Sequence, residues 1–158
     1  MTPSVKPTEI HNRRVLKRDG LTYHQDSDEL VTGTVVLFYD TGQLKEQINY
    51  KDGELEGLFE EFYENGQLKF RGNLKDGKQD GLREEFFENG QLKFRGNLKD
   101  GKQDGLSEFF SENGQLEIIG NFKEGKDEGL VEYFDRKGNL WMTRTFKNGE
   151  LVEENLNP

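Results

Sequence analysis

Residues 57–80 read Gly57-Leu-Phe-Glu-Glu-Phe-Tyr63-Glu-Asn-Gly66-Gln-Leu68-Lys-Phe-Arg-Gly72-Asn-Leu74-Lys-Asp-Gly77-Lys-Gln-Asp80. Residues 81–104 repeat this stretch with only two changes, Phe59/Arg83 and Tyr63/Phe87. So close a match implies duplication of a structural unit, and the register extends both ways without insertion. Numbering the first Gly of each unit as zero, Gly occupies 33, 57, 81, 105 and 129. A Phe follows at +5 (Phe38, Phe62, Phe86, Phe110, Phe134) and a second Gly at +9 (Gly42, Gly66, Gly90, Gly114, Gly138). Leu holds +11 (Leu44, Leu68, Leu92, Leu116, Leu140), and a third Gly holds +20 (Gly53, Gly77, Gly101, Gly125, Gly149).

Each unit reads as two strands. Asn65-Gly66 between two apolar-patterned runs is a strong hairpin signal, because both residues tolerate a positive φ. The second run alternates, with Leu68, Phe70, Gly72 and Leu74 expected on one face and Lys69, Arg71, Asn73 and Lys75 on the other. A two-residue loop would pair Tyr63 with Leu68 and Phe62 with Lys69. A three-residue loop with Gly66 left-handed pairs Phe62 with Leu68, Leu58 with Gly72 and Glu61 with Lys69. The three-residue loop is favoured because it gathers the invariant Phe and Leu on one face. Lys75 to Asp80 reads as a longer turn into the next hairpin. Phe86→Ala is then expected to cost roughly 3–5 kcal/mol if that ring is buried.

Composition sets the outer limits. The chain has 158 residues, 34% of them charged, a net charge of −9, and no Cys or Ala. Low apolar content with a large charge is also the composition of disordered chains. The fixed spacing of Phe and Leu argues instead for a folded array, and the missing Ala argues against helix. Without Cys there is no disulfide, thiolate nucleophile or cysteine metal site. No apolar run is long enough to span a bilayer as a helix. The acidic balance disfavours nucleic-acid phosphates and anionic lipid as main partners.

The unit resembles the variant MORN repeat common in bacterial proteins. The lead-in Asp19-Gly20-Leu21-Thr22-Tyr23, followed by Thr32-Gly33, is similar to the start of YwqK-type proteins, described as antitoxins of toxin–antitoxin pairs. The resemblance covers roughly residues 15–152. It implies an all-β, solenoid-like array of hairpins laid side by side in one long twisted antiparallel sheet. Ten strands at about 4.8 Å each would make a sheet on the order of 50 Å long. The expected organisation is a polar flexible leader (1–14), a capping hairpin (15–32), five repeats (33–56, 57–80, 81–104, 105–128, 129–152) and a tail (153–158).

Catalytic signals are weak. His11 and His24 belong to no patterned constellation, and none of the four Ser lies in a nucleophile-elbow context. Glu60 and Glu61, being adjacent on a strand, point to opposite faces and cannot share one substrate. Asp76-Gly-Lys78-Gln-Asp80-Gly81 mimics the start of a calcium loop, but Lys78 stands at a ligand position and Phe87 where the bidentate Glu belongs. The reading is a non-enzyme with no cofactor and no metal.

What remains is surface, since exposed apolar rows rimmed by charge mark interaction sites. Partner-binding candidates are the +6 residues Tyr39, Tyr63 and Phe87, and the +4 residues Phe109 and Tyr133. Phe59, Arg71, Arg95 and Trp141 complete the set, being residue types that anchor interfaces. The expected function is protein binding, by the resemblance as an antitoxin or immunity protein against a cognate toxin, for which the net charge of −9 suits a basic partner. The alternative is a structural scaffold or membrane-associated interaction module. Edge strands could also pair into a homodimer. Lack of Cys fits the cytoplasm, with export the alternative if a signal peptide has been removed.

Overall fold

The computed structural model describes residues 9–11 and 14–157. Fourteen strands account for most of them: β1 (Glu9–His11), β2 (Val15–Arg18), β3 (Leu21–His24), β4 (Gly33–Phe38), β5 (Leu44–Lys51), β6 (Glu54–Phe62) and β7 (Leu68–Lys75). Then follow β8 (Lys78–Phe86), β9 (Leu92–Lys99), β10 (Lys102–Phe110), β11 (Leu116–Lys123), β12 (Lys126–Phe134), β13 (Leu140–Lys147) and β14 (Glu150–Leu156). Strands β4 to β14 lie in chain order in one sheet, each antiparallel to the next, as the repeat pattern implies. The structure adds β1, which pairs in parallel with β4. The rest of residues 1–13 lies outside the described residues.

Two turn types alternate. At the Asn-Gly end the backbone N–H of Tyr63 donates to the Gln67 carbonyl and that of Gly66 to the Tyr63 carbonyl, the three-residue loop expected from the pattern. Gly90, at the same place one repeat on, has φ +85°, and a Cβ there would lie 2.8 Å from the Gln67 side chain. The left-handed dihedral is what favours Gly here, since the Gln67 amide is the movable end of a flexible side chain. At the other end the expected long turn is absent. Asp76 and Gly77 both have positive φ, 49° and 73°, and form a two-residue hairpin turn, so β7 and β8 run up to it directly. The Asp residues of the calcium-like stretch serve this turn and the strand that follows.

The register differs from the sequence-based one by a bulge. Phe62 pairs with Leu68 as expected, but Glu61 then faces Phe70, and Phe59 faces Gly72. Lys69 is the extra residue, and the same shift recurs between +4 and +5 in every repeat. A bulge flips the alternation behind it, so Phe70 lies on the face opposite Phe62 and Leu68. The ion pair expected between Glu61 and Lys69 nevertheless forms, at 2.6 Å, because the bulged lysine leans over the same carboxylate.

Paired residues share a face, as do residues two apart along a strand. The front face carries the row Phe59, Gly72, Arg83, Gly96, Ser107, beside the row Glu61, Phe70, Glu85, Phe94, Phe109. The back face carries Gln47, Glu60, Arg71, Glu84, Arg95 and Glu108 as a ladder of polar and charged groups. Flanking that ladder are the pairs Phe62/Leu68 and Leu58/Asn73 with their equivalents. Buried side chains concentrate on the front: Phe70, Phe94, Val131 and Met142. Among the described residues no second layer covers these four. The phenyl rings lie along their own strand over glycine, and a Cβ on Gly96 would come within 2.7 Å of Phe94 Cζ.

At the N-terminal end the hairpin β2–β3 packs on this face. Val15 rests against the cluster of Val31, Val35 and Tyr50, and the Thr22 N–H donates to the Gly53 carbonyl at 2.9 Å. Burial there raises the Tyr50 pKa, opposed in part by a hydrogen bond with Thr22. At the other end β14 continues through residues 153–156, which composition had assigned to a tail. Its pairing with β13 includes Glu154 opposite Arg144, bonded at 2.7 Å.

Candidate interaction surface

The nine candidate residues divide between the two faces. The front receives Tyr39, Phe59, Tyr63, Phe87, Phe109, Tyr133 and, at a bulge position, Trp141. The back receives Arg71 and Arg95. The front aromatics form short stacks: Phe59 with Phe70 at 5.2 Å between centroids, Phe94 with Phe109 at 5.0 Å, and Tyr133 edge-on to Trp141 at 6.5 Å. The +12 lysine sits over the +6 ring in three successive repeats: Lys45 over Tyr39, Lys69 over Tyr63 and Lys93 over Phe87. Trp141 is 42% exposed, the most accessible of these rings.

Several of these residues already have structural work. Tyr39 donates to the Phe62 carbonyl and Tyr63 to the Phe86 carbonyl, each at 2.8 Å, so the hydroxyls tie one hairpin to the next. Burial raises the Tyr63 pKa, with Lys69 opposing. Tyr63→Phe is expected to cost about 0.5–1.5 kcal/mol in urea unfolding, the loss of one hydrogen bond. Phe87 shows that the ring fits without its hydroxyl. Asp135, the last +6 residue, accepts from the backbone of Asn139 and Lys137, and these bonds, Asn139's first, lower its pKa. Arg71 Nε donates to Glu60 at 2.7 Å, and Arg95 pairs with Glu108 at 2.8 Å.

One exposed row was missed from sequence. Leu82, Leu106 and Leu130 at +1 are 43%, 44% and 49% exposed on the back face. They stand two strands apart, a spacing of about 10 Å. Their signal was in the pattern, since +1 is Leu in every repeat but the first. The bulged register is what turns them outward, opposite Asn97, Asn121 and Thr145.

The MORN repeat variant model matches residues 31–52, 55–76, 79–100, 103–124 and 127–148, in step with the 24-residue period and over most of the sheet. The chain belongs to the MORN repeat variant family. No curated protein matches it at a significant level. As a MORN-variant array it presents a repeat-based binding module, a long sheet whose front face is covered by β2–β3 at its N-terminal end. Among the described residues no group of three or more His, Asp or Glu is arranged to hold a metal ion.

Proposed function

We propose that this MORN-variant protein is a non-enzymatic antitoxin or immunity protein that neutralises a cognate toxin by binding and occluding it. The observation that carries the binding part is the row Leu82, Leu106, Leu130, left accessible beside a charged ladder on the back face of the sheet. Regularly spaced apolar side chains rimmed by charge suit a protein partner. The antitoxin part is supported by the likeness of Asp19 to Tyr23 and of Thr32-Gly33 to YwqK-type proteins. It is also supported by the net charge of −9, which speeds association with a basic partner.

Expression of the neighbouring gene product alone should arrest growth, and co-expression of this protein should restore it. The purified pair should associate more slowly as salt is raised, because steering between exposed charges is screened. A harmless neighbour, or a toxic one that this protein neither binds nor rescues, would sink the antitoxin reading.

A further inference from the structure

The five repeats have not diverged evenly. On the back face the first-strand positions +1, +3 and +5 hold Leu, Glu and Phe in at least four of five copies. On the front face +2 runs Val35, Phe59, Arg83, Ser107, Val131, and +4 runs Leu37, Glu61, Glu85, Phe109, Tyr133. The two differences between repeats 57–80 and 81–104 both fall on this face. On the second strand the back-face position +14 also varies, but through residues that serve the ladder or end it. At +2, Val35, Ser107 and Val131 are buried and their individuality answers to packing within the protein, whereas Arg83 is a partly exposed departure from the pattern.

At the most individual of these positions lies a groove of about 530 Å³ across β8, β9 and β10. Its walls include Phe94, Phe109 and Leu98, with three cations, Arg83, Lys93 and Lys102, against one carboxylate, Glu85. On a chain of net charge −9 this is a local positive island. The Arg83 guanidinium lies over the Phe70 and Phe94 rings at 5.2 and 5.8 Å. Nη1 donates to Gln79 at 3.2 Å and Nη2 to Glu85, while Nε is buried with no acceptor. Across Gly96 in the same row, the fully buried Ser107 hydroxyl also lacks a partner.

We infer that this groove receives an acidic side chain of the partner protein, a carboxylate next to an aromatic residue, with Arg83 as its anchor. The inference rests on the protein-binding reading above, but places this contact on the front face, opposite the leucine row. A carboxylate of the partner can pair with the outer Nη groups of Arg83, where Glu85 now sits. Glu85 has somewhere else to go. One repeat earlier the equivalent Glu61 bonds the bulged Lys69 at 2.6 Å, whereas Lys93 meets only the Phe87 ring. A swing of Glu85 to Lys93 repeats that arrangement and frees Nη2 of Arg83. The adjacent aromatic residue of the partner then lies on Phe94 and Phe109.

The test is an amide-shift titration of the whole protein with two capped tetrapeptides, Asp-Phe-Asp-Phe and Lys-Phe-Lys-Phe. The acidic peptide should give saturable shifts confined to β8–β10, and the basic one none there. Arg83→Phe, which installs the residue that Phe59 already supplies one repeat earlier, should keep the fold and weaken the acidic peptide about ten-fold or more. Glu85→Gln, which removes the competing carboxylate, should tighten it. Equal binding of both peptides, shifts elsewhere on the sheet, or undiminished binding to Arg83→Phe would overturn the assignment. Growth rescue by Arg83→Phe equal to wild type would also remove this site while leaving toxin neutralisation standing. If the wild-type protein rescues nothing, the titration still decides the groove.

Discussion

Truncating Phe94 to alanine is expected to lower the unfolding free energy by about 3–5 kcal/mol. Its ring is 7% exposed, stacks on Phe109 at 5.0 Å and lies over Gly96, so removal strips these contacts and bares the apolar surface beneath. Phe86→Ala, the substitution to which periodicity assigned the large cost, should cost less, about 1–2 kcal/mol. That ring is half-buried on the back face opposite Leu92. Parallel urea titrations of the two variants measure the difference directly. A greater loss for Phe86→Ala would mean that the faces are reversed and that the bulge at Lys93 does not exist in solution.

Arg71→Ala should cost about 1–3 kcal/mol, an effect on stability from a residue that composition had marked for binding. Its guanidinium, about half exposed, donates to the carboxylate of Glu60, whose side chain is only 8% exposed. The same carboxylate also accepts from the Gln47 amide. Without Arg71 a nearly buried charge keeps one neutral donor, and the penalty is chiefly its desolvation. Solvent around the arginine lowers the figure from that of a fully buried pair. Arg95→Ala is the internal control. Its partner Glu108 is more exposed, at 19%, so the loss should be under about 1 kcal/mol. Equal losses at the two sites would show that burial of the carboxylate is not the cause, and a double-mutant cycle with Glu60→Gln isolates the pair term.

The errors in the sequence-based register share one origin. Phe62 opposite Leu68 was legible because only the three-residue loop brings the invariant Phe and Leu to one face. The slip one step later was not, because a bulge is an extra residue with no composition of its own. Lys69 at that place looks like any solvent-facing strand residue. Asp76-Gly77 was misjudged differently. The surrounding Lys, Gln and Asp suggested a loop, yet two left-handed residues suffice to reverse the chain, and the polar flanks are strand. The candidate surface was partly legible. Aromatic residues at +2, +4 and +6 were identified and do share the front face, whereas Arg71 and Arg95 belong to the back-face ladder. Arg83 was visible only as one of two differences between copies. Its meaning needed Phe94, Lys93 and Glu85, which lie near it in space.

Periodicity therefore carried the architecture. Twenty-four residues with Gly, Phe, Gly, Leu and Gly at fixed offsets leave the chain few choices besides successive hairpins, because each local turn signal agrees with the next. Which side chains face which side was decided by tertiary structure alone. Facing depends on parity along each strand, and one unmarked residue per hairpin reverses it. That single inversion buries Phe70 and Phe94 over glycines, exposes Leu82, Leu106 and Leu130, and gathers the individual residues of the repeats around Arg83.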